Sequence, residues 1–280
     1  MAQRLCMSRL RHTLETVAGN SRSLGCPFCR YQCTATAGTI FDKTRTPLTT
    51  WFDAAWHVTT TKSGMSAKTL ERTMGVSYQV AWHMLHRFRV AMVRPSREPL
   101  TGEVEVDESL VGGVEEGGKR GRGTDKAIVA IAVEIKRPKG FGRIRMRHVP
   151  DASAKSLGTF VRETIAPGSV LSTDGWRGYN GLSNEYVHRQ TILSSSDDPA
   201  HVAMPGVHQI ASLLKRWLLG THQGACEKEH LQSYLEEFTF RFNRRTSHSR
   251  GQLFHRLLEQ AVQTPPVTQK NILHGYFTER

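Results

Sequence analysis

The order of apolar segments between residues 103 and 193 limits the fold more than any other feature of this chain. Glu103-Val-Glu-Val-Asp107 alternates, so Val104 and Val106 share one face of a strand and Glu103, Glu105 and Asp107 the other. Lys126 to Glu134 is almost continuously apolar, which predicts a central strand covered on both faces. Arg143 to Val149 alternates again, and Asp151 to Ile165 then sets Leu157, Phe160, Val161 and Ile165 on one helical face. Ser169 to Thr173 is a short strand delivering Asp174, and Tyr186 to Leu193 is a fifth. Three strands, a helix and two more strands predict an α/β domain built on a mixed sheet.

Asp107 and Asp174 thus stand at the ends of the first and fourth strands. The helix expected after Pro205 carries His208, 34 residues beyond Asp174, and Lys215, seven residues and nearly two turns further on the same face. Carboxylates gathered from distant positions suit a two-metal site for phosphoryl transfer, in which the ions sit about 3.5–4 Å apart. The third residue of such a set is expected to be acidic, and here it is histidine. Glu103 and Glu105 share the face of Asp107 and are expected at a solvated strand edge. Glu236 and Glu237 fall in a late helix where structural pairing is the ordinary role, with Glu237 a reserve ligand.

Charge points to the partner. The 280 residues hold 38 Lys and Arg against 25 Asp and Glu, a net +13 with a pI near 9.9, which favours a polyanion such as nucleic acid. The chain shows no apolar run near the roughly 18 residues a membrane span needs and no secretory signal, so a cytoplasmic protein is expected.

Ahead of the sheet the sequence reads as two smaller regions. Cys26-Pro-Phe-Cys29 is a knuckle-like turn leading into a β-prone segment. Tetrahedral Zn²⁺ needs four donors, and upstream there is only Cys6, with Arg9 where its partner would stand. Cys33 or His12 would have to substitute. Residues 1–45 therefore read as a degraded zinc ribbon, with Cys26 and Cys29 as its remnant ligands.

Residues 46–98 read as helical. Pro47 opens an amphipathic helix, Ser66 caps a short helix that Gly75 stops, and Ser77 caps a longer one. This is helix-turn-helix punctuation. Val80, Ala81, Met84, Leu85 and Phe88 form the expected buried face of the last helix, leaving Gln79, His83, Arg87 and Arg89 to face DNA. A linker at Pro95–Pro99 precedes the sheet domain, 99–225, and helices at 228–242 and 250–262 occupy a C-terminal region, 226–280. Lys119, Arg120 and Arg122 lie in a glycine-rich loop that lacks a P-loop ending and is expected as a cationic loop beside the site.

Strands ending in aspartate with a third ligand on a later helix are the arrangement of the RNase H-like fold. Here the resemblance becomes specific. Thr36-Ala-Gly-Thr-Ile-Phe41, Pro47-Leu-Thr-Thr-Trp-Phe52, Val106-Asp-Glu108, Val111-Gly-Gly113, Thr173-Asp-Gly-Trp-Arg-Gly-Tyr179, Leu213-Leu-Lys-Arg216, Gly220-Thr-His222 and Phe238-Thr-Phe-Arg-Phe-Asn-Arg244 occur in one order. Across residues 26–262 the chain resembles bacterial insertion-sequence transposases of the 1595 group, with their ISXO-like, DDE-type catalytic module.

The resemblance implies an enzyme that cuts transposon ends and joins them to target DNA. Asp107 and Asp174 would hold Mg²⁺ or Mn²⁺, His208 would occupy the third-ligand position, and Lys215, with Arg216 beside it, would contact end DNA. It also implies a homo-oligomer holding two double-stranded ends. Imidazole suits Mn²⁺ better than Mg²⁺. The alternative is a catalytically impaired DNA-binding protein derived from a transposase, to which His208 and the broken cysteine pattern also conform. Trp176 and Tyr179 either stack on a base or close a core.

Overall fold

Nine residues, Glu103–Val111 (β4), form the middle strand of a five-stranded sheet. The computed structural model describes residues 15–16, 23–25, 32–94, 96–112, 126–191, 204–224 and 226–274, with side chains from Thr34 onward except at Arg250. Antiparallel pairing joins β4 to β5 (Ala127–Ile135) and β5 to β6 (Phe141–Val149). Parallel pairing joins β4 to β7 (Val170–Asp174) and β7 to β8 (Val187–Thr191). Helix α4 (Ala154–Thr164) makes the crossover from β6 to β7, and a 3₁₀ segment, Arg177–Leu182, links β7 to β8.

β4 is longer than its alternation implies. Its pairing with β7 ends at Val106↔Thr173, but its pairing with β5 continues to Val111↔Ala127. Asp107 is therefore not the last residue of its strand; it follows the last β7-paired position, where the strand runs on as one arm of a hairpin.

The sheet is covered on both faces. Val104, Val106, Ala130 and Ala132 pack with Leu157, Phe160 and Val161 of α4. On the other face Val129, Ile131, Val133 and Ile144 pack with Ile210, Leu214 and Leu218 of α5 (Pro205–His222) and Leu235 of α6 (Lys228–Phe242). The near-continuous apolarity of β5 follows from this double covering.

A three-stranded antiparallel sheet, β1 (Glu15–Thr16), β2 (Ser23–Gly25) and β3 (Gln32–Thr34), lies at the N-terminus. The helical region then has the expected punctuation. Helix α1 (Leu48–Thr60) follows Pro47; Ser66 Oγ accepts from Thr69 N at the start of α2 (Ala67–Met74), which Gly75 ends at φ +65°. Ser77 Oγ accepts from Val80 N at the start of α3 (Tyr78–Ala91). These helices bury Trp51, Leu70, Met84 and Phe88 together with Leu253, Leu257 and Ala261 of α7 (Arg250–Gln263) and Ile272 of α8 (Gln269–Leu273). The end of the chain thus returns to complete the core of the α1–α3 helical region.

An ion-pair network joins this helical region to the sheet domain. Arg89 of α3 is 2% exposed and donates to Glu237 of α6 at 2.9 Å, with its guanidinium 4.2 Å from the ring centre of Tyr234. Arg241 reaches the other Glu237 oxygen at 2.9 Å and also donates to the carbonyls of Val58 and Thr61. Burial alone would raise the Glu237 carboxyl, but Arg241 and Arg89 hold it down to about 2. Gly64, at φ +76°, lets the loop after α1 approach this pair, since a Cβ there would stand 2.9 Å from Glu237 Oε1.

Arg89 therefore does not face DNA, contrary to its expected place on the outer side of α3. That helix is packed on several sides, and the buried guanidinium is satisfied by a carboxylate 148 residues away. Glu237 is committed to the same pair and is not a reserve metal ligand.

A buried and a half-buried imidazole flank the network. His86 lies against Trp82 with ring centres 4.1 Å apart, and His222 against Tyr234 at 4.6 Å. Burial first, then Arg89, His230, His83 and His222, keeps His86 neutral far below its usual range; burial, then Arg89 and Arg241 against Glu237, brings His222 to about 4. Folded values below the unfolded 6.5 mean that the unfolded chain binds more protons in acid. Stability should be complete above pH 6.5 and fall as pH drops toward 4, by up to about 1.4 kcal/mol per pH unit for each imidazole. Glu237, whose folded value also lies below its unfolded 4.5, keeps its full contribution above about pH 4.5 and loses it only as pH falls from there toward 2. Urea unfolding at pH 7.5, 6 and 5 checks this; equal free energies at the three would contradict it.

Candidate active site

The parallel register of β4 and β7 brings the two aspartates together. Glu105 pairs with Ser172 and Val106 with Thr173, so the next residues along each strand are Asp107 and Asp174. Neighbouring strands lie about 4.8 Å apart, and partners in register project to one face. Both aspartates are half-buried. Asp107 Oδ1 accepts from Glu108 N at 2.8 Å and Asp174 Oδ1 from Trp176 N at 3.1 Å, which fixes each carboxylate against its own backbone.

Glu108 joins them from the opposite face of β4. Its Oε2 accepts from the hydroxyl of Tyr179 at 2.9 Å. Burial first, then the charges of Glu108, Asp107 and Asp174, pushes the Tyr179 phenol well above its usual range. Three carboxylates therefore act on one buried hydroxyl, and the end of β7 is a focus of negative potential. Tyr179 is fully buried and cannot stack on a base. Trp176 is half-buried, and its indole donates to Ala152 O at 2.8 Å, closing the core beside Asp174.

Glu105 does not lie at the solvated strand edge expected from its alternation. Only 7% exposed, it accepts from Val207 N at 3.0 Å at the start of α5. Burial raises its pKa, an effect opposed by the Val207 and Gly206 amides. A carboxylate at a helix N-terminus satisfies amides that lack intrahelical partners and meets the positive end of the helix dipole. Gly206 permits the contact, because a Cβ there would lie 2.8 Å from Glu105 Oε2 and from Ile135 Cδ1. Glu103, by contrast, is half-buried at the start of the central strand and pairs with exposed Arg137 at 2.8 Å.

The Glu105 contact ties the first turn of α5 to the strand that carries Asp107. His208 follows Val207 directly and is half-exposed. Val207, Ile210, Ala211, Leu214 and Leu218 take the buried side of the helix, so Lys215 and Arg216 are exposed two turns further on. The side-chain donors of Asp107, Asp174 and His208 do not all lie within 4.8 Å of one another. Among the described residues the three-donor group that does is Glu227, Glu229 and His230 at the start of α6.

The expected DNA-facing set on α3 is redistributed. Gln79 is exposed at the helix start. His83 is half-buried, and Arg87 donates to Ile40 O at 2.9 Å while lying 5.8 Å from the ring centre of Trp51. Arg87 thus spends its guanidinium inside the helical region. Cys26 and Cys29, expected as remnant zinc ligands, and Lys119, Arg120 and Arg122, expected in a cationic loop, lie outside the described residues.

Three antiparallel strands followed by two parallel ones, in an order that puts the first strand at the centre beside the fourth, with aspartates adjacent on those two strands, define the RNase H-like class. The chain belongs to a family of transposases: residues 99–243 match the ISXO2-like transposase domain. An uncharacterized transposase-like protein of Haemophilus influenzae is 30% identical over 96 residues, which are 34% of this chain and 76% of that protein. The catalytic core domain of BIV integrase aligns with 57% of this chain and 97% of its own at 17% identity and a TM-score of 0.35. Among the described residues no helix is long and apolar enough to cross a membrane.

Proposed function

We propose that this protein is a DNA transposase that cleaves the ends of an insertion sequence and joins them to target DNA. The observation that carries the reading is the register of β4 and β7, which sets Asp107 beside Asp174 within a transposase-family module. The two adjacent carboxylates are hard oxygen donors of the kind Mg²⁺ and Mn²⁺ prefer. Asp107 and Asp174 would hold the ions, with His208 as a third donor. Bound there, divalent ions supply Lewis-acid activation of the attacking oxygen and charge stabilisation of the leaving oxygen.

The protein's own residues do the positioning. Glu105 holds the first turn of α5 against β4 and so sets where His208 stands. Lys215 and Arg216, exposed on the same helix, take the phosphates of the element end, and Gln79, with Lys119, Arg120 and Arg122, adds contacts along the duplex. The protein works in the cytoplasm on double-stranded inverted repeats, as a homo-oligomer that holds two ends.

His208 favours a second reading, a DNA-binding protein whose catalysis is impaired. Incubating the full chain with a labelled duplex carrying the inverted repeats that flank its gene, with Mg²⁺ or Mn²⁺, separates the two. Joined products are expected; bound DNA without products would establish the second reading, and nicks alone a simple nuclease. If His208 is a donor, His208→Glu should raise the rate in Mg²⁺ relative to Mn²⁺ by about tenfold, as a shift of roughly 1.4 kcal/mol in ion preference would. An unchanged Mg²⁺-to-Mn²⁺ ratio would remove His208 from the site.

A further inference from the structure

A second charged region lies at the outer edge of the sheet. Beside β6, the linker after α3 and the ends of α6 and α7 enclose a cavity of about 620 Å³. Arg94, Arg97, Arg145, Arg244 and Arg256 line it. Two of these have carboxylate partners: Arg97 pairs with Glu236, and Arg256 with Glu259 at 3.0 Å. Arg143, also on the wall, pairs with Glu134 at 2.7 Å and Glu98 at 3.2 Å.

Arg94, Arg145 and Arg244 have no carboxylate within salt-bridge distance among the described residues. Arg145 is 7% exposed and, among the described residues, donates only to the carbonyls of Ile144 and Glu98. Arg244 donates to Phe240 O at 3.2 Å and stacks on the Phe240 ring at 4.0 Å. Burial first, then Arg97 and Arg143, outweighs the attraction of Glu236 and Glu134 and brings Arg145 down to about 10; burial, then Arg94, Arg256 and Arg97, does the same to Arg244. Guanidinium groups that repel one another inside a concave, half-buried site lower their energy most by accepting an anion with several oxygens.

This cavity is separate from the aspartate pair. Arg145 is in register with Ala132, and Ala132 with Val106, so it lies two strands from β4 on the face opposite to Asp107. We propose that the cavity is a second phosphate-binding site that grips the DNA backbone where the helical region meets the sheet domain. The choice of DNA as the source of the phosphates rests on the transposase reading; the linker wall at Arg94 and Arg97 is where a duplex held by both regions would cross. The contact is to phosphate, so it would add affinity without sequence preference.

The test is the salt dependence of DNA binding by the full chain, with and without inverted repeats in the duplex. Arg94→Ala and Arg244→Gln should each reduce the slope of log K against log salt by about 0.9, the value for one lost phosphate contact, equally on both duplexes. Arg162→Ala, at a surface pair with Glu185 on α4, should leave the slope as it is. Arg94 is exposed, so Arg94→Ala keeps the test valid if Arg244→Gln unfolds. Unchanged slopes in a wild-type protein that binds DNA would overturn the proposal alone. So would stabilisation by inorganic pyrophosphate without a slope change, which would identify a free-anion site. A wild-type chain that binds no DNA would overturn the transposase reading and this site with it.

Discussion

Asp107→Ala and Asp174→Ala should each reduce cleavage of a labelled element end by at least about a hundredfold, with DNA affinity left within a few-fold of wild type. Removing one group that stabilises charge developing in a transition state typically costs about 10²–10³ in rate. Among the described residues, neither neighbouring glutamate is placed to substitute. Glu105 shares the face of Asp107 but is spent on the first turn of α5, and Glu108 points to the other face, where Tyr179 holds it. Both aspartates are half-buried at the margin of the β4–β7 pairing, so their loss opens no core cavity and circular dichroism should report an intact fold. Cleavage within tenfold of wild type in either variant would remove that residue from the catalytic set.

Glu237→Gln should destabilise the protein by about 3–5 kcal/mol, the usual effect of removing one partner of a buried ion pair. The magnitude follows from exposure: Arg89 and Glu237 are 2% and 1% exposed, so water cannot replace the lost carboxylate charge. Arg241 would lose its bond to the same group, and with it the support of the loop that ends at Gly64. The double variant Arg89→Met, Glu237→Gln should recover part of the loss, because it removes the stranded charge as well. Denaturant unfolding checks both; a loss below about 1 kcal/mol for Glu237→Gln would mean that the pair is not desolvated as its burial implies.

Local chemistry made most of the elements legible in the sequence. Ser66, Gly75 and Ser77 punctuate α2 and α3 by capping bonds and a left-handed turn that involve only near neighbours. The apolar run in β5 records its burial on both faces. Asp107 and Asp174 were legible because alternation fixes a face and because the motifs around them come in a family's order. Their adjacency was not, since a period of two is blind to register, and only the pairing of Val106 with Thr173 supplies it.

The misplacements share one cause. Arg89 looked like an outward cation because helical spacing shows one buried face, whereas α3 is packed on several and meets a glutamate far along the chain. Glu105 looked like a solvated edge because nothing near it in sequence announces that Gly206 and Val207 will dock there. A clue was present: a glycine in the first turn of a helix, directly after Pro205, lets the backbone approach a neighbour closely.

Manganese binding to the full chain tests most directly the claim that Asp107 and Asp174 together form the catalytic metal site. Titration followed by electron paramagnetic resonance should show bound Mn²⁺ in the wild-type protein, and Asp107→Asn and Asp174→Asn should each weaken it by at least about tenfold, while Glu227→Gln at the acidic group on α6 should not. Affinities in the two aspartate variants equal to that of wild type would contradict the account.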